Sequence, residues 1–134
     1  MMNILHEVPG TGEYVELRAA AGLAPKEEAV LHTALRNSPF CVVMRDDHGQ
    51  LLGMGRIIGD RACFFQIVDV LTHPSCEGGE GEKAIMDALM DDLQQQAPQG
   101  ADILLMADVP SVGFYRKYGF ELTYPNSLSM SRGL

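Results

Sequence analysis

Tryptophan is absent from these 134 residues, cysteine occurs three times, and no apolar run approaches the roughly 18 residues that would suggest a membrane span. Each shortage argues against something. Cys41, Cys63 and Cys76 are an odd set at spacings unlike any zinc or redox motif, which speaks against a disulfide framework, and the thiols are read as reduced. His6, His32, His48 and His73 are scattered, so no metal constellation is expected. Basic residues are few: ten Lys and Arg against eighteen Asp and Glu leave a net charge of −8. That balance argues against a nucleic-acid surface and favours a cationic or neutral partner. His6 and Glu7 interrupt the N-terminus before an apolar signal region can form, so a cytoplasmic location with no membrane attachment is the expectation.

What remains is ordinary for one packed domain. Hydrophobic content of 46% and charged content of 21% suit a globular chain, 134 residues suffice for a real core, and no linker divides residues 1–134. Residues 3–8 read as a short strand ended by Pro9 and Gly10. Thr11 offers an N-cap for a helix to Ala21, stopped by Gly22, and Pro25 opens a second helix through Leu35. Residues 40–45 and 51–58 read as the two strands of a hairpin around the turn 46–49. Residues 63–72, CFFQIVDVLT, are aromatic and β-branched throughout and predict a central strand buried on both faces. Asp69 lies inside that run, where a carboxylate is either paired with a buried donor or functional.

The stretch 72–90, THPSCEGGEGEKAIMDALM, organises the rest. A strand runs out at Pro74, a glycine-rich loop follows, and Met86, Leu89, Met90 and Leu93 begin a helical apolar period. Such a turn aims backbone N–H groups and the positive end of a helix at one point, as a phosphate requires. Pro98 and Gly100 end the helix, residues 103–107 read as a buried strand, and 111–118 as a short helix stopped by Gly119. Residues 120–123 and 128–130 can supply two closing strands. Hairpins followed by a strand–helix–strand crossover give an α/β (α+β) domain with a mixed, mostly antiparallel sheet of six to seven strands and about four helices.

Taken together, the segments VLTHPSCEGGEGEKAIMDALM and SVGFYRKYGF, in this order and about this far apart, resemble the GNAT superfamily of N-acetyltransferases over roughly residues 40–120. That family carries a V-x-P turn, a Q/R-x-x-G-x-G/A loop that holds the acetyl-CoA pyrophosphate, and later an F-Y-x-K-x-G-F helix. The last motif is present as Phe114, Tyr115, Lys117, Gly119 and Phe120. In the loop an ungapped register puts Glu77 at the Gln/Arg position and Glu80 and Glu82 at the two glycine positions. A one-residue shift restores Gly79 and Gly81 but puts Cys76 first and needs an insertion before the helix. The ungapped register is preferred, because Pro74, Ala84, Ile85 and Met86 then match.

The resemblance implies acetyl-CoA as co-substrate. Its pyrophosphate would be held at Glu77, Gly78, Gly79, Glu80, Gly81, Glu82 and Lys83, with pantetheine alongside Val70, Leu71 and Thr72 and the oxyanion donor a backbone N–H near Val70 or Leu71. At separations near 8 Å each glutamate would repel one phosphate charge by about 0.5–2 kcal/mol, partly offset by Lys83, Arg116 and Lys117. Alternatively, these acids complement the helix macrodipole. Tyr115 matches the residue that protonates the leaving thiolate; the other reading is a core tyrosine with a satisfied hydroxyl. Gln66 stands where histone-type relatives carry a glutamate base, so Asp69 is the candidate base, dependent on a bulge, beside a structural carboxylate or water. Arg18 and Arg56 could bind an acidic substrate group or serve in structural pairs. The implied activity is transfer of acetyl from acetyl-CoA to a primary amine of a small molecule or peptide by direct attack, with a homodimer a family-level expectation. A catalytically silent GNAT-fold binding protein with a degenerate acyl-CoA loop is the other reading.

Overall fold

The elements follow in the order β1 (Asn3–Leu5), α1 (Thr11–Ala20), α2 (Glu28–Arg36), β2 (Phe40–Arg45), β3 (Leu51–Gly59), β4 (Phe64–Thr72), α3 (Glu80–Gln96), β5 (Asp102–Leu105) and α4 (Val112–Arg116), the last entered through a 3-10 turn at Val109–Ser111. They come from a computed structural model that describes residues 2–76 and 78–134. The strands form one sheet in the order β1-β2-β3-β4-β5. The first four pair antiparallel, and α3 carries the chain across to β5, which lies parallel to β4.

Alternation along the strands divides the core into two layers. On β2, Val42 and Met44 point to one face and Cys41 and Val43 to the other, and all four are buried, so the sheet must be covered on both sides. α3 covers the first face with Ile85, Met86, Leu89 and Leu93, which pack with Val42, Met44, Ile57, Phe65 and Ile67. Helices α1 and α2 cover the second with Tyr14, Leu17, Leu31 and Leu35, against Cys41, Val43, Leu51 and Met54. Each fully buried Leu, Ile or Met contributes roughly 1.5–3 kcal/mol. Gly55 sets how closely α3 lies: a Cβ there would come within 2.7 Å of Leu89 Cδ1 and 2.8 Å of Ile85 Cγ2, so a side chain would push the helix off the sheet.

Some element ends differ from the sequence reading, each for a local reason. Gly10, not Thr11, caps α1; with no side chain to offer, it relies on the Glu13 carboxylate, which accepts the Gly10 N–H at 2.8 Å. The second helix starts at Glu28, because Pro25, Lys26 and Glu27 are exposed and the core fixes only the turns that bear Leu31 and Leu35. The expected sheet of six to seven strands has five among the described residues. Residues 120–123 and 128–130 are not strands: they fold back through a turn in which Ser127 N–H donates to the Thr123 carbonyl at 3.0 Å. Phe120 packs against Tyr115, but Leu122, Leu128 and Met130 stay exposed, so no continuous buried face fixes a register for them.

Candidate active site

A cleft opens because two parallel strands have unequal length. Pairing between β4 and β5 runs from Phe64 opposite Asp102 to Ile67 opposite Leu105. There β5 stops, while β4 continues to Thr72. The wedge left between them has a volume of about 510 Å³, within the range of small-molecule sites. One wall is β4, with Val68, Asp69, Val70 and Leu71. The other is Met106, Asp108, Ser111, Phe114 and Tyr115, while Gly79 and Glu82 close the end near α3. Beyond Ile67 the β4 edge has no β5 partner, so its backbone is the natural source of a hydrogen bond to a ligand in the cleft.

Asp69 reaches this cleft through a bulge. Met54 pairs with Leu71 and Arg56 with Val68, so β4 spends three steps where β3 spends two. Strict alternation would place Asp69 with Phe65 and Ile67, in the apolar layer under α3. At the bulge Asp69 adopts a left-handed φ of 53°, uncommon for a residue with a side chain, and its carboxylate turns toward α1 instead. There Tyr14 donates its hydroxyl to Oδ2, Arg56 Nε donates to the same oxygen at 2.8 Å, and Arg18 Nη1 reaches Oδ1 at 3.4 Å. Arg56 also donates to Ser38 Oγ at 3.1 Å, and Arg18 Nη2 to the Ala24 carbonyl at 3.3 Å. Arg18 Nε is buried with no partner among the described residues.

The electrostatics follow from this packing. Burial, then the Asp69 carboxylate, raises the Tyr14 phenol above its ordinary value, so Tyr14 remains a donor. Burial opposes the charge on Arg56, but the hydrogen bond and charge of Asp69 outweigh it and the guanidinium is pushed up. A carboxylate has about four acceptor sites; three donors occupy Asp69 and leave room for one more. On the opposite wall, burial, then the charges of Asp108 and Glu82, raises the Tyr115 phenol, which stays protonated through the neutral range. The Tyr115 ring is held edge-on by Phe114, at 5.1 Å between centroids, and by Phe120. Its neighbour Tyr118 instead donates to Asp87 Oδ1 at 2.8 Å, outside the cleft.

The loop before α3 places its glycines where glycine is required. Gly78 and Gly79 have left-handed φ values of 86° and 74°. Gly81, in the first turn of α3, lies where a Cβ would meet Met44 Cε at 3.0 Å and Thr72 Cγ2 at 3.3 Å. Glu80 and Glu82 occupy helical positions that tolerate side chains. Glu82 folds back to accept the Thr72 hydroxyl at 2.8 Å, while Glu80 is exposed. Lys83 points away to Asp87 at 2.8 Å. Glu77 lies outside the described residues.

Of the site residues read from the sequence, Asp69, Val70, Leu71, Gly79, Glu82 and Tyr115 line one cleft, with Thr72 beside it through Glu82, whereas Gly78, Glu80, Gly81 and Lys83 are not among its lining residues. Sequence reading did not select Tyr14. The available signal was its spacing: Tyr14 and Arg18 are four residues apart on α1 and share a face. Arg18 and Arg56, read separately, converge on one carboxylate. The histidines are dispersed, His6 to Asp92 and His73 to Ser75, and no group of potential metal ligands occurs among the described residues. Cys41 is buried, with its thiol pushed up to about 11 by that burial, so it is a poor nucleophile.

The acetyltransferase (GNAT) domain family matches residues 18–130. The chain is 32% identical over 116 residues to the chloroplastic serotonin N-acetyltransferase 2 of Oryza sativa, which covers 83% of this chain and 56% of that one. It spans roughly half the length of the first curated relatives it matches. Among solved structures, a probable acetyltransferase of unknown function from meticillin-resistant Staphylococcus aureus superposes with a TM-score of 0.92 at 33% identity, covering all of both chains. A Clostridium acetobutylicum structure described as a predicted acetyltransferase with acetyl-CoA gives a TM-score of 0.72 at 18% identity over 98% of this chain and 96% of that one, a likeness of fold.

Proposed function

The chain belongs to the GNAT acetyltransferase family, and on that premise we propose that it transfers acetyl from acetyl-CoA to a primary amine of a small molecule or peptide by direct attack. The observation that carries this reading is the cleft itself, where an unpaired stretch of β4 faces Tyr115 and ends at a glycine turn and the start of a long helix. The thioester substrate would lie with its pyrophosphate at the amides of 78–82 and its pantetheine along Val70 and Leu71. The left-handed Gly78 and Gly79 and the tight packing at Gly81 suit that role, because they bring backbone close to the ligand.

Chemistry then follows from what each wall supplies. The neutral amine attacks the thioester carbonyl carbon, the C–N bond forms, and the developing oxyanion takes a hydrogen bond from an N–H of the β4 edge near Val70 or Leu71. As the C–S bond breaks, Tyr115 gives its phenolic proton to the departing thiolate. The ammonium proton leaves to Asp69, at its one unoccupied acceptor site, or to water.

A second reading has its own observation. Glu82, hydrogen-bonded to Thr72 across the mouth of the loop, puts a carboxylate where a phosphate would go and supports a catalytically silent fold that binds a partner or holds an acyl-CoA only weakly. Calorimetric titration with acetyl-CoA separates the two. Saturable heat with a thermal shift is expected from the first reading; no heat and no shift at millimolar ligand would sink it.

A further inference from the structure

Two arginines of this chain are buried to nearly the same degree and are satisfied very differently. Arg45, 14% exposed, has all three side-chain nitrogens bonded, to Glu7, Glu13 and the Gly49 carbonyl, at 2.6 to 3.1 Å. Arg18, 12% exposed, makes two long bonds, from Nη1 to Asp69 at 3.4 Å and from Nη2 to the Ala24 carbonyl at 3.3 Å. Its buried Nε has no partner among the described residues. Hydrogen bonds from a guanidinium to a carboxylate are normally about 2.7–2.9 Å, and an unsatisfied buried donor is uncommon. Charge is out of balance at the same place. Arg18 and Arg56 share the single carboxylate of Asp69, to which Tyr14 adds a third donor. Such a cluster is short of one anion. The Tyr14 ring, 5.8 Å from Arg18 Cζ, holds the guanidinium in place without using its donors.

The underused donors lie on one edge. Nε–H and Nη2–H of a guanidinium point the same way and form a fork that grips a carboxylate with two parallel bonds. Asp69 takes the other nitrogen, Nη1, and leaves the fork to the Ala24 carbonyl. That carbonyl belongs to the connection 23–27, which is exposed along its length, and the adjacent Leu23 lines the cleft, as Asp69 does. No lysine, arginine or histidine is among the residues that line the cleft, and Glu82 and Asp108 stand at its other walls, so a carboxylate in the cleft is drawn to the α1 side. Resting on the acetyl-transfer reading, we infer that the acceptor is a free α-amino acid, whose carboxylate takes the Nε and Nη2 fork of Arg18 in place of the Ala24 carbonyl. Its amine then stands at the acceptor site of Asp69 that three donors leave open. One carbon separates amine and carboxylate in such a substrate, and one contact of 3.4 Å separates Asp69 from Arg18, so the two opposite charges match pairwise. A zwitterion is neutral overall, which suits a chain of net charge −8. Arg56 is not the anchor, because Asp69 and Ser38 hold its Nε and Nη1 at 2.8 and 3.1 Å. Arg18 thus determines specificity through the substrate's carboxylate, away from the reacting atoms.

The test compares each of the twenty free amino acids with its amide, which keeps the shape and removes the charge, as acceptors for the full chain with acetyl-CoA, read by release of the CoA thiol. At least one amino acid should exceed its amide by about 10- to 150-fold in kcat/KM, the worth of a charged hydrogen-bonded pair, with the difference in KM. Amides that match their amino acids throughout overturn the inference. Arg18→Gln should bring the preferred amino acid down to the level of its amide, and Arg18→Lys, which keeps the charge without the fork, should fall between. Equal losses on both acceptors would show that Arg18 acts only by holding Asp69, and overturn it. If Arg18→Gln does not fold, the wild-type comparison decides alone. Failure of the acetyl-transfer reading looks different. Thiol release with simple amines and with no amino acid leaves acetyl transfer standing and overturns the amino-acid acceptor. With no release from any acceptor, thermal unfolding of the wild-type chain decides: protection by an amino acid and not by its amide supports the Arg18 fork, and no protection overturns it.

Discussion

Thr72, the last residue of β4, donates its hydroxyl to the Glu82 carboxylate at 2.8 Å. This bond joins the end of β4 to the first turn of α3 and sets a negative charge at that turn. Anionic side chains at such a position complement the helix macrodipole by about 0.3–1 kcal/mol, and they compete with any phosphate that seeks the same donors.

Glu82→Gln should therefore tighten acetyl-CoA binding. Removing one charge at about 8 Å relieves roughly 0.5–2 kcal/mol, a gain of about 2- to 30-fold in Kd. Calorimetry at low salt would show it, and the gain should shrink as salt is raised. An unchanged affinity would mean that the pyrophosphate does not visit this turn.

Asp69→Ala should cost more stability than any other single change in the cleft. It leaves the Arg18 and Arg56 side chains, 12% and 13% exposed, without their anion, a loss of about 3–5 kcal/mol by analogy with broken buried pairs. Tyr14→Phe removes one donor to a charged group and should cost about 1.5–3 kcal/mol. Urea denaturation of both variants checks the order.

The contrast between Tyr14 and Asp69 also shows what was legible in the sequence. Asp69 stands out as an acid inside an apolar strand, and the need for a bulge followed from that. The direction in which the bulge turns it did not, because this depends on how β4 registers against Met54 and Arg56 of β3, a non-local pairing. The β2–β3 hairpin, β4 and α3 were legible because local periodicity fixes them. Glycine demand in the loop was harder to read. Motif alignment favoured a register with glutamates at the glycine positions, whereas packing against Met44 and Thr72 sets the requirement at Gly81. The closing strands failed as elements because alternation within 120–123 and 128–130 shows which face would be buried, but not against what.

Tyr115→Phe should lower kcat by about 10²- to 10⁴-fold, the usual contribution of a positioned acid, with little change in acetyl-CoA affinity. Because burial raises the Tyr115 phenol, the wild-type rate should not fall on the alkaline side until beyond the ordinary phenol value near pH 10. Steady-state kinetics across pH, compared with calorimetry on the variant, tests both statements.

Acid sensitivity should come in part from Glu13. Its hydrogen bonds with Arg45, at 2.6 and 2.9 Å, lower its carboxyl below the usual range against a smaller cost of burial. A depressed folded value means that the stabilisation is complete above the unfolded value of about 4.3 and is lost as pH falls through the lower folded value. Glu13→Gln should be less stable than wild type at pH 7, and the gap should close as pH falls through the lowered folded value of the Glu13 carboxyl. Thermal melts of both proteins at each pH measure it.

The central claim is that acetyl-CoA lies between β4 and Tyr115 with its pyrophosphate at the start of α3. Amide spectra of the ¹⁵N-labelled chain titrated with acetyl-CoA test this most directly. The account predicts that the largest shifts fall on Val70, Leu71, Gly78, Gly79 and Gly81, with Tyr115 next. Saturating ligand that leaves those amides unmoved, or that shifts instead the residues around His6 and Asp92 on the far side of the sheet edge, would contradict it.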